Sequence, residues 1–83
     1  MYILRSQVDA VMAHEDDLVR VEQHVAEARR LVQRQKGLII RLSAASVSTL
    51  DAQRILWLLE SNLRRLETHR DFLKAGGSNA PDQ

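Results

Sequence analysis

The stretch from Val11 to Leu42, VMAHEDDLVRVEQHVAEARRLVQRQKGLIIRL, decides the fold. Alternating steps of three and four residues along it reach ten positions, of which eight are apolar. These positions are Val11, His14, Leu18, Val21, Val25, Ala28, Val32, Gln35, Ile39 and Leu42. Such a heptad stripe is typical of a helix that packs lengthwise against another helix. We therefore predict a long helix and call this stripe its seam.

The first helix is predicted to span residues 6–44. Ser6 and Asp9 have the spacing of a capping box, which satisfies free amides at a helix start. The apolar residues Tyr2, Ile3 and Leu4 either extend the helix or pack against its first turn. At 1.5 Å per residue the helix is about 55 to 60 Å long, so it needs other helices beside it to be stable.

A second helix is predicted over residues 49–75. Residues 43–49 are small or carry hydroxyl groups, and such residues favour helix ends. Ser48 and Asp51 have the spacing of a second capping box, and Gly76-Gly77 supplies a left-handed stop. The seam positions of this helix are Ala52, Leu56, Leu59, Leu63, Leu66, Arg70 and Leu73. A short connection makes the two helices antiparallel, so the predicted fold is an all-α two-helix hairpin.

Composition and length limit the architecture and the location of the chain. Eighty-three residues leave room for one domain, which we place at residues 1–75 with a tail at 76–83. The absence of cysteine excludes disulfides and thiol chemistry and favours the cytoplasm. No apolar run approaches the roughly 18 residues of a membrane span, and the first residues do not form a signal peptide. We therefore expect a cytoplasmic protein that does not bind membranes.

The unequal helix lengths predict self-association. The second helix covers the first only from about Val19 onward, yet the seam continues through Val8, Val11 and Leu18. Further apolar residues widen the surface beyond one stripe per helix: Leu31, Leu38, Ile40, Ile55, Trp57 and Leu58. We expect a homodimer whose hairpins form a four-helix bundle, with a helix of another protein as the alternative partner. The candidate interface residues are Val11, Leu18, Val21, Val25, Val32, Ile39, Leu56, Trp57, Leu59, Leu63 and Leu66.

Charge is unevenly distributed along the first helix. Residues 1–27 carry a net charge of −4 and residues 28–47 a net charge of +5, whereas the rest of the chain is balanced. This pattern favours an antiparallel neighbour, although acidic residues near a helix start also interact favourably with the helix dipole. The basic block suggests a second function, nucleic-acid binding, through Arg29, Arg30, Arg34, Lys36 and Arg41. Eleven acidic residues and the absence of an aromatic stacking platform argue against it.

Catalytic and metal-binding patterns are weak. His14 and Asp17 lie one helical turn apart, but two ligands do not make a metal site. Glu22 with His24 and Glu67 with His69 are two residues apart, which points their side chains to different faces of a helix. We therefore expect no enzymatic activity, no catalytic residues, no cofactor and no metal. Polar residues in or beside the seam, such as Gln35, are expected to set helix register.

Several short patterns together resemble one group of proteins. They are His24-Val-Ala-Glu27, Arg34-Gln35, Ile40-Arg-Leu42, Thr49-x-x-Ala52-x-x-x-Leu56-x-x-Leu59-Glu60 and Leu66-x-x-His69-Arg70-x-x-Leu73. The chain, over about residues 18–74, resembles small helical-hairpin proteins of alphaproteobacteria that have no assigned activity. Those proteins usually have a Gly-His-Asp-Thr type of turn where this chain has residues 45–49, so the resemblance does not extend to the turn. It implies a helical hairpin and no particular function.

Overall fold

The structure is a computed structural model that describes the backbone of residues 2–77 and the side chains of residues 15–77. It contains two helices, α1 (Tyr2–Ala44) and α2 (Leu50–Lys74), which pack side by side. The described residues contain no strand. The predicted all-α two-helix hairpin is confirmed. The residues of the predicted tail from 78 onward lie outside the described part of the chain.

The structure refines the two predicted helix starts. Helix α1 begins at Tyr2 rather than at Ser6. No glycine or proline precedes Ser6, so its capping signal does not interrupt a run of residues that accept helical geometry. Helix α2 begins at Leu50, with Thr49 as its N-cap and no side-chain hydrogen bond at the cap. Ser48 therefore stands one residue outside the cap.

Asp51 serves a different role from the predicted capping box. It lies in the first turn of α2 and is 3.8 Å from Nη1 of Arg54. A carboxylate in the first turn interacts favourably with the positive end of the helix dipole. The side chain of Gln53 donates a hydrogen bond of 2.8 Å to the hydroxyl of Thr49, which holds the first turn against the connection.

Both helices end with the same backbone motif. After α2, the amide of Gly76 donates to the carbonyl of Leu73 and that of Gly77 donates to Phe72, at 3.0 and 2.9 Å. Gly76 has a φ of 89°. These features define a Schellman motif and confirm the predicted glycine stop. The second helix thus ends at Lys74, one residue earlier than predicted, with Ala75 as its C-cap.

The turn after α1 uses serine where α2 uses glycine. The amide of Ser46 donates to the carbonyl of Ser43, and the amide of Val47 donates to Leu42, at 3.0 and 2.9 Å. Ser46 has a φ of 58°, in the left-handed region that disfavours side chains. The helix reversal therefore rests on a strained serine.

The core is a thin strip between the two seams. Its buried residues are Val21, Val25, Ala28, Val32, Ala52 and Leu73. The other described seam residues are half-buried, because only one helix covers each of them. Gln35 donates a hydrogen bond of 2.9 Å from Nε2 to the carbonyl of Ala52. This bond links the two helices and agrees with the predicted role of Gln35 in helix register.

Helix α2 leaves the first part of α1 uncovered. Lys74, the last residue of α2, is 3.7 Å from Glu22 across the hairpin. Leu18 is still half-buried, but α1 continues from there back to Tyr2. We call residues 2–17 the overhang, which is about 24 Å long at 1.5 Å per residue. The accessible surface is 6727 Å², about 1700 Å² more than a compact monomer of this mass exposes.

Candidate interaction surfaces

The two sides of the hairpin, where α1 and α2 meet solvent, differ in chemistry. We call the first side the charged flank. On it, Arg29 and Glu67 are 3.1 Å apart and Lys74 and Glu22 are 3.7 Å apart, and both pairs join α1 to α2. Lys36 and Glu60 follow at seven-residue spacing from Arg29 and Glu67, which places them on the same flank. On this side of the hairpin, ion pairs between oppositely charged side chains therefore join the two helices.

The opposite side is a shallow groove that we call the apolar flank. Residues of both helices line it: His24, Glu27, Ala28, Leu31, Asn62 and Leu66 in one part, and Asp17, Arg20, Val21, His24, Leu66 and His69 in the next. Leu38 and Ile55 extend the groove toward the turn, since they lie seven residues from Leu31 and Asn62. Leu58 lies outside this groove, beside Trp57 and Ser61 on the outer side of α2. The groove is therefore apolar near the turn and polar at its other end.

Apolar side chains on this flank remain in solvent. Leu31 is 39% exposed, Leu38 36% and Ile55 48%. No ion pair crosses the groove among the described residues. A contiguous apolar surface rimmed by polar residues is typical of a site that another polypeptide covers. The apolar flank is thus the strongest interaction surface of the described chain.

One segment of α2, residues 55–59, is apolar on every side of the helix. Residues 55–59, Ile-Leu-Trp-Leu-Leu, form the longest apolar run in the sequence. Five consecutive residues turn more than once around a helix, so such a run is too wide for one neighbouring helix to cover. Trp57 is 63% exposed on the side of α2 that faces away from α1, next to Ser61 and Arg64. Leu50 is 64% exposed and lies outside the heptad seam. The apolar run at residues 55–59 is the sequence signal for an excess of apolar surface in this part of α2.

The predicted interface residues whose side chains are described fall into three groups. Val21, Val25 and Val32 are buried inside the hairpin, so a second chain does not need to cover them. The half-buried members are Leu18, Ile39, Leu56, Leu59, Leu63 and Leu66. Trp57 is exposed on the outer side of α2, and the side chain of Val11 lies outside the described residues. The hairpin therefore brings most of these residues into its own seam.

The predicted nucleic-acid residues do not share one face. Arg29 is engaged by Glu67 on the charged flank, and Lys36 lies on that same flank. Arg30, Arg34 and Arg41 are exposed on the side of α1 away from α2, at spacings of four and seven residues. Among the described side chains these three arginines form no ion pair. The basic surface is thus a short stripe of three residues.

The described residues contain neither a cluster of metal-ligating side chains nor a membrane-spanning helix. No group of three or more metal-ligating side chains comes together there. The side chain of His14, from the cluster noted in the sequence, lies outside that part of the chain. Neither described helix is both long enough and apolar enough to cross a bilayer.

Comparisons with known proteins give no relatives. No protein-family model matches the chain. No curated protein and no solved structure shows a significant similarity to it. The resemblance to alphaproteobacterial helical-hairpin proteins therefore stays a prediction.

Proposed function

We propose that this chain is a non-enzymatic helical-hairpin protein that self-associates as a homodimer and acts as an interaction or scaffold module in the bacterial cytoplasm. The exposed apolar flank carries the proposal. Its three partly exposed aliphatic side chains, Leu31, Leu38 and Ile55, lie on one side of the hairpin. A second copy of the chain is available as a partner wherever the chain itself is present.

The size of the exposed surface supports a stable dimer. The chain exposes about 1700 Å² more than a compact monomer of its mass, and a standard protein interface buries about 800 Å² per partner. An interface of that size over the apolar flank and the overhang would cover about half of this excess. The thin core argues in the same direction, because few residues are buried in the isolated hairpin.

Sedimentation equilibrium tests the proposal. The chain has a mass of 9.5 kDa, so a dimer has twice that mass. We expect the dimer mass at micromolar concentration, together with strong helical circular dichroism. A stably helical chain that retains the monomer mass throughout the micromolar range contradicts self-association.

The second candidate function is a small dimeric nucleic-acid-binding protein. The stripe of Arg30, Arg34 and Arg41 supports it, because these exposed guanidinium groups lie on one side of α1 without acidic partners. Binding to a duplex or a single strand should weaken steeply with salt and be lost when all three arginines are changed to glutamine. The matched control changes Arg54, Arg64 and Arg65 of α2 to glutamine and should retain binding. Absence of binding at low salt removes this candidate.

A further inference from the structure

The uncovered overhang and the apolar flank are two incomplete surfaces in the same chain. The overhang is the part of α1 that α2 does not reach. Its sequence continues the heptad stripe through Leu4, Val11 and Leu18, which are separated by seven residues. The apolar flank offers Leu31, Leu38 and Ile55 to a third helix. The overhang lacks a neighbouring helix, and the apolar flank lacks a helix that covers its exposed side chains.

We infer that the overhang of one copy occupies the apolar flank of a second copy, with the two α1 helices antiparallel along their full length. This inference rests on the proposed self-association and names its geometry. Each end of the dimer is then a three-helix bundle made of α1, α2 and the overhang of the other copy. It differs from the four-helix bundle, in which two hairpins cover each other and both overhangs remain uncovered.

The lengths agree with this arrangement. Helix α1 spans Tyr2–Ala44, so full antiparallel overlap sets residue 2 beside residue 44. The overhang, residues 2–17, then lies beside residues 29–44 of the other α1. That segment carries Leu31 and Leu38, and the hairpin turn places Ile55 next to it. The overhang therefore covers the part of the groove that is apolar.

The charges agree as well. Residues 2–17 contain Arg5 against Asp9, Glu15, Asp16 and Asp17, a net charge of −3. Residues 29–44 contain five basic residues and no acidic one. Full antiparallel overlap sets residues 9–17 beside residues 29–37. Because Arg29 and Lys36 lie on the charged flank, the acidic residues of the overhang come nearest to Arg30 and Arg34 on the outer side of α1. Overhang against overhang instead brings like charges together, and complementary fields select the first arrangement.

Spin-label distances in the full chain test this geometry. The chain has no cysteine, so Gln23→Cys and Ser43→Cys each introduce one labelling site, and both positions are exposed. In the inferred dimer the two copies of residue 23 face each other at the centre, within about 20 Å, and those of residue 43 are about 60 Å apart. Antiparallel hairpins that cover each other give about 25 Å and 35 Å, whereas parallel hairpins give two short distances. Either of those results overturns the inferred geometry but leaves self-association standing.

A pair of matched substitutions supplies a second test. Val11→Glu places a carboxylate in the overhang seam, and we expect it to raise the dissociation constant of the dimer about a hundredfold or more. Val19→Glu is the control, because Val19 is 56% exposed on the outer side of α1, and it should change the constant less than about threefold. Equal effects overturn the role of the overhang. A wild-type chain that is monomeric, with no dipolar distance, overturns the proposed function itself.

Discussion

The charged flank and the apolar flank run along the same hairpin, yet only one of them is complete. On the charged flank, Arg29 meets Glu67 and Lys74 meets Glu22, so groups of opposite sign compensate each other across the two helices. On the apolar flank, Leu31 and Leu38 are partly exposed and have no comparable bond across the groove. The comparison teaches that a hairpin can hold its register on one side while it keeps the other side open for a partner.

The largest expected effect comes from charging the apolar flank. The double substitution Leu31→Asp with Ile55→Asp should raise the dimer dissociation constant about a hundredfold or more, because both carboxylates would be buried without partners. Both side chains are exposed in the hairpin, at 39% and 48%, so the monomer should keep its helices. Sedimentation equilibrium and circular dichroism measure the two quantities.

Ile40→Asp is the matched control for that experiment. Ile40 is 69% exposed and lies eleven residues after Arg29, on the side of α1 away from the apolar flank. We expect the dissociation constant to change by less than about threefold, as for an ordinary surface substitution. A loss of association equal to that of the double variant would show that the two flanks are not different.

The turn that joins the flanks should be easy to strengthen. Ser46 adopts a φ of 58° at the position that glycine occupies after α2. Ser46→Gly removes the left-handed strain and should raise the free energy of unfolding by about 1 kcal/mol. Urea denaturation at one protein concentration measures it, and the reverse change at the other turn, Gly76→Ser, should be destabilising. A destabilised Ser46→Gly variant would refute this description of the turn.

Loss of the hydrogen bond between the two seams should change the free energy of unfolding by a similar amount, but should lower it. Gln35 is half-buried and donates to the carbonyl of Ala52. Gln35→Ala should lower the free energy of unfolding by about 1 kcal/mol, the usual net value of such a bond. Gln33→Ala, on the exposed side of the same helix turn, is the control and should have little effect. Identical denaturation curves for Gln35→Ala and the wild type would argue against the role in register.

The smallest effect is expected on the charged flank. Arg29 and Glu67 retain substantial exposure, with 54% and 32% of their side-chain surfaces in solvent. Replacing both with glutamine should cost about 0.5 kcal/mol or less, because solvent screens an exposed pair. Dimerisation should be nearly unchanged. A loss comparable to that of the apolar-flank variant in sedimentation equilibrium would reverse the ranking of the two flanks.

The sequence predicts the hairpin and the seam because both follow from local spacing. The seam positions from Leu18 to Leu42 and from Ala52 to Leu73 are all buried or half-buried. The strained residue of the turn was not predictable, since residues 45–49 contain no glycine that would mark it. The capping boxes misled because a serine inside a helix costs little when nothing interrupts the helix.

The assignment of side chains to flanks needed the structure. The spacing of nine residues between Leu31 and Ile40 already sets them on different sides of α1. The structure adds that the described ion pairs between α1 and α2 lie on the side away from Leu31. The ion pair of Arg29 and Glu67 joins residues that are 38 positions apart, so it depends on the register that the turn sets. Trp57 shows the same limit, because the structure turns it away from α1.

The central claim is that a second copy covers the apolar flank. Hydroxyl-radical footprinting of the wild-type chain at low and high concentration tests it most directly, because it reports the solvent exposure of individual side chains. We predict that Leu31, Leu38 and Ile55 become protected as concentration rises, whereas Ile40 and Trp57 stay reactive. Protection of Ile40 or Trp57 without the apolar flank, or no change with concentration, would contradict the claim.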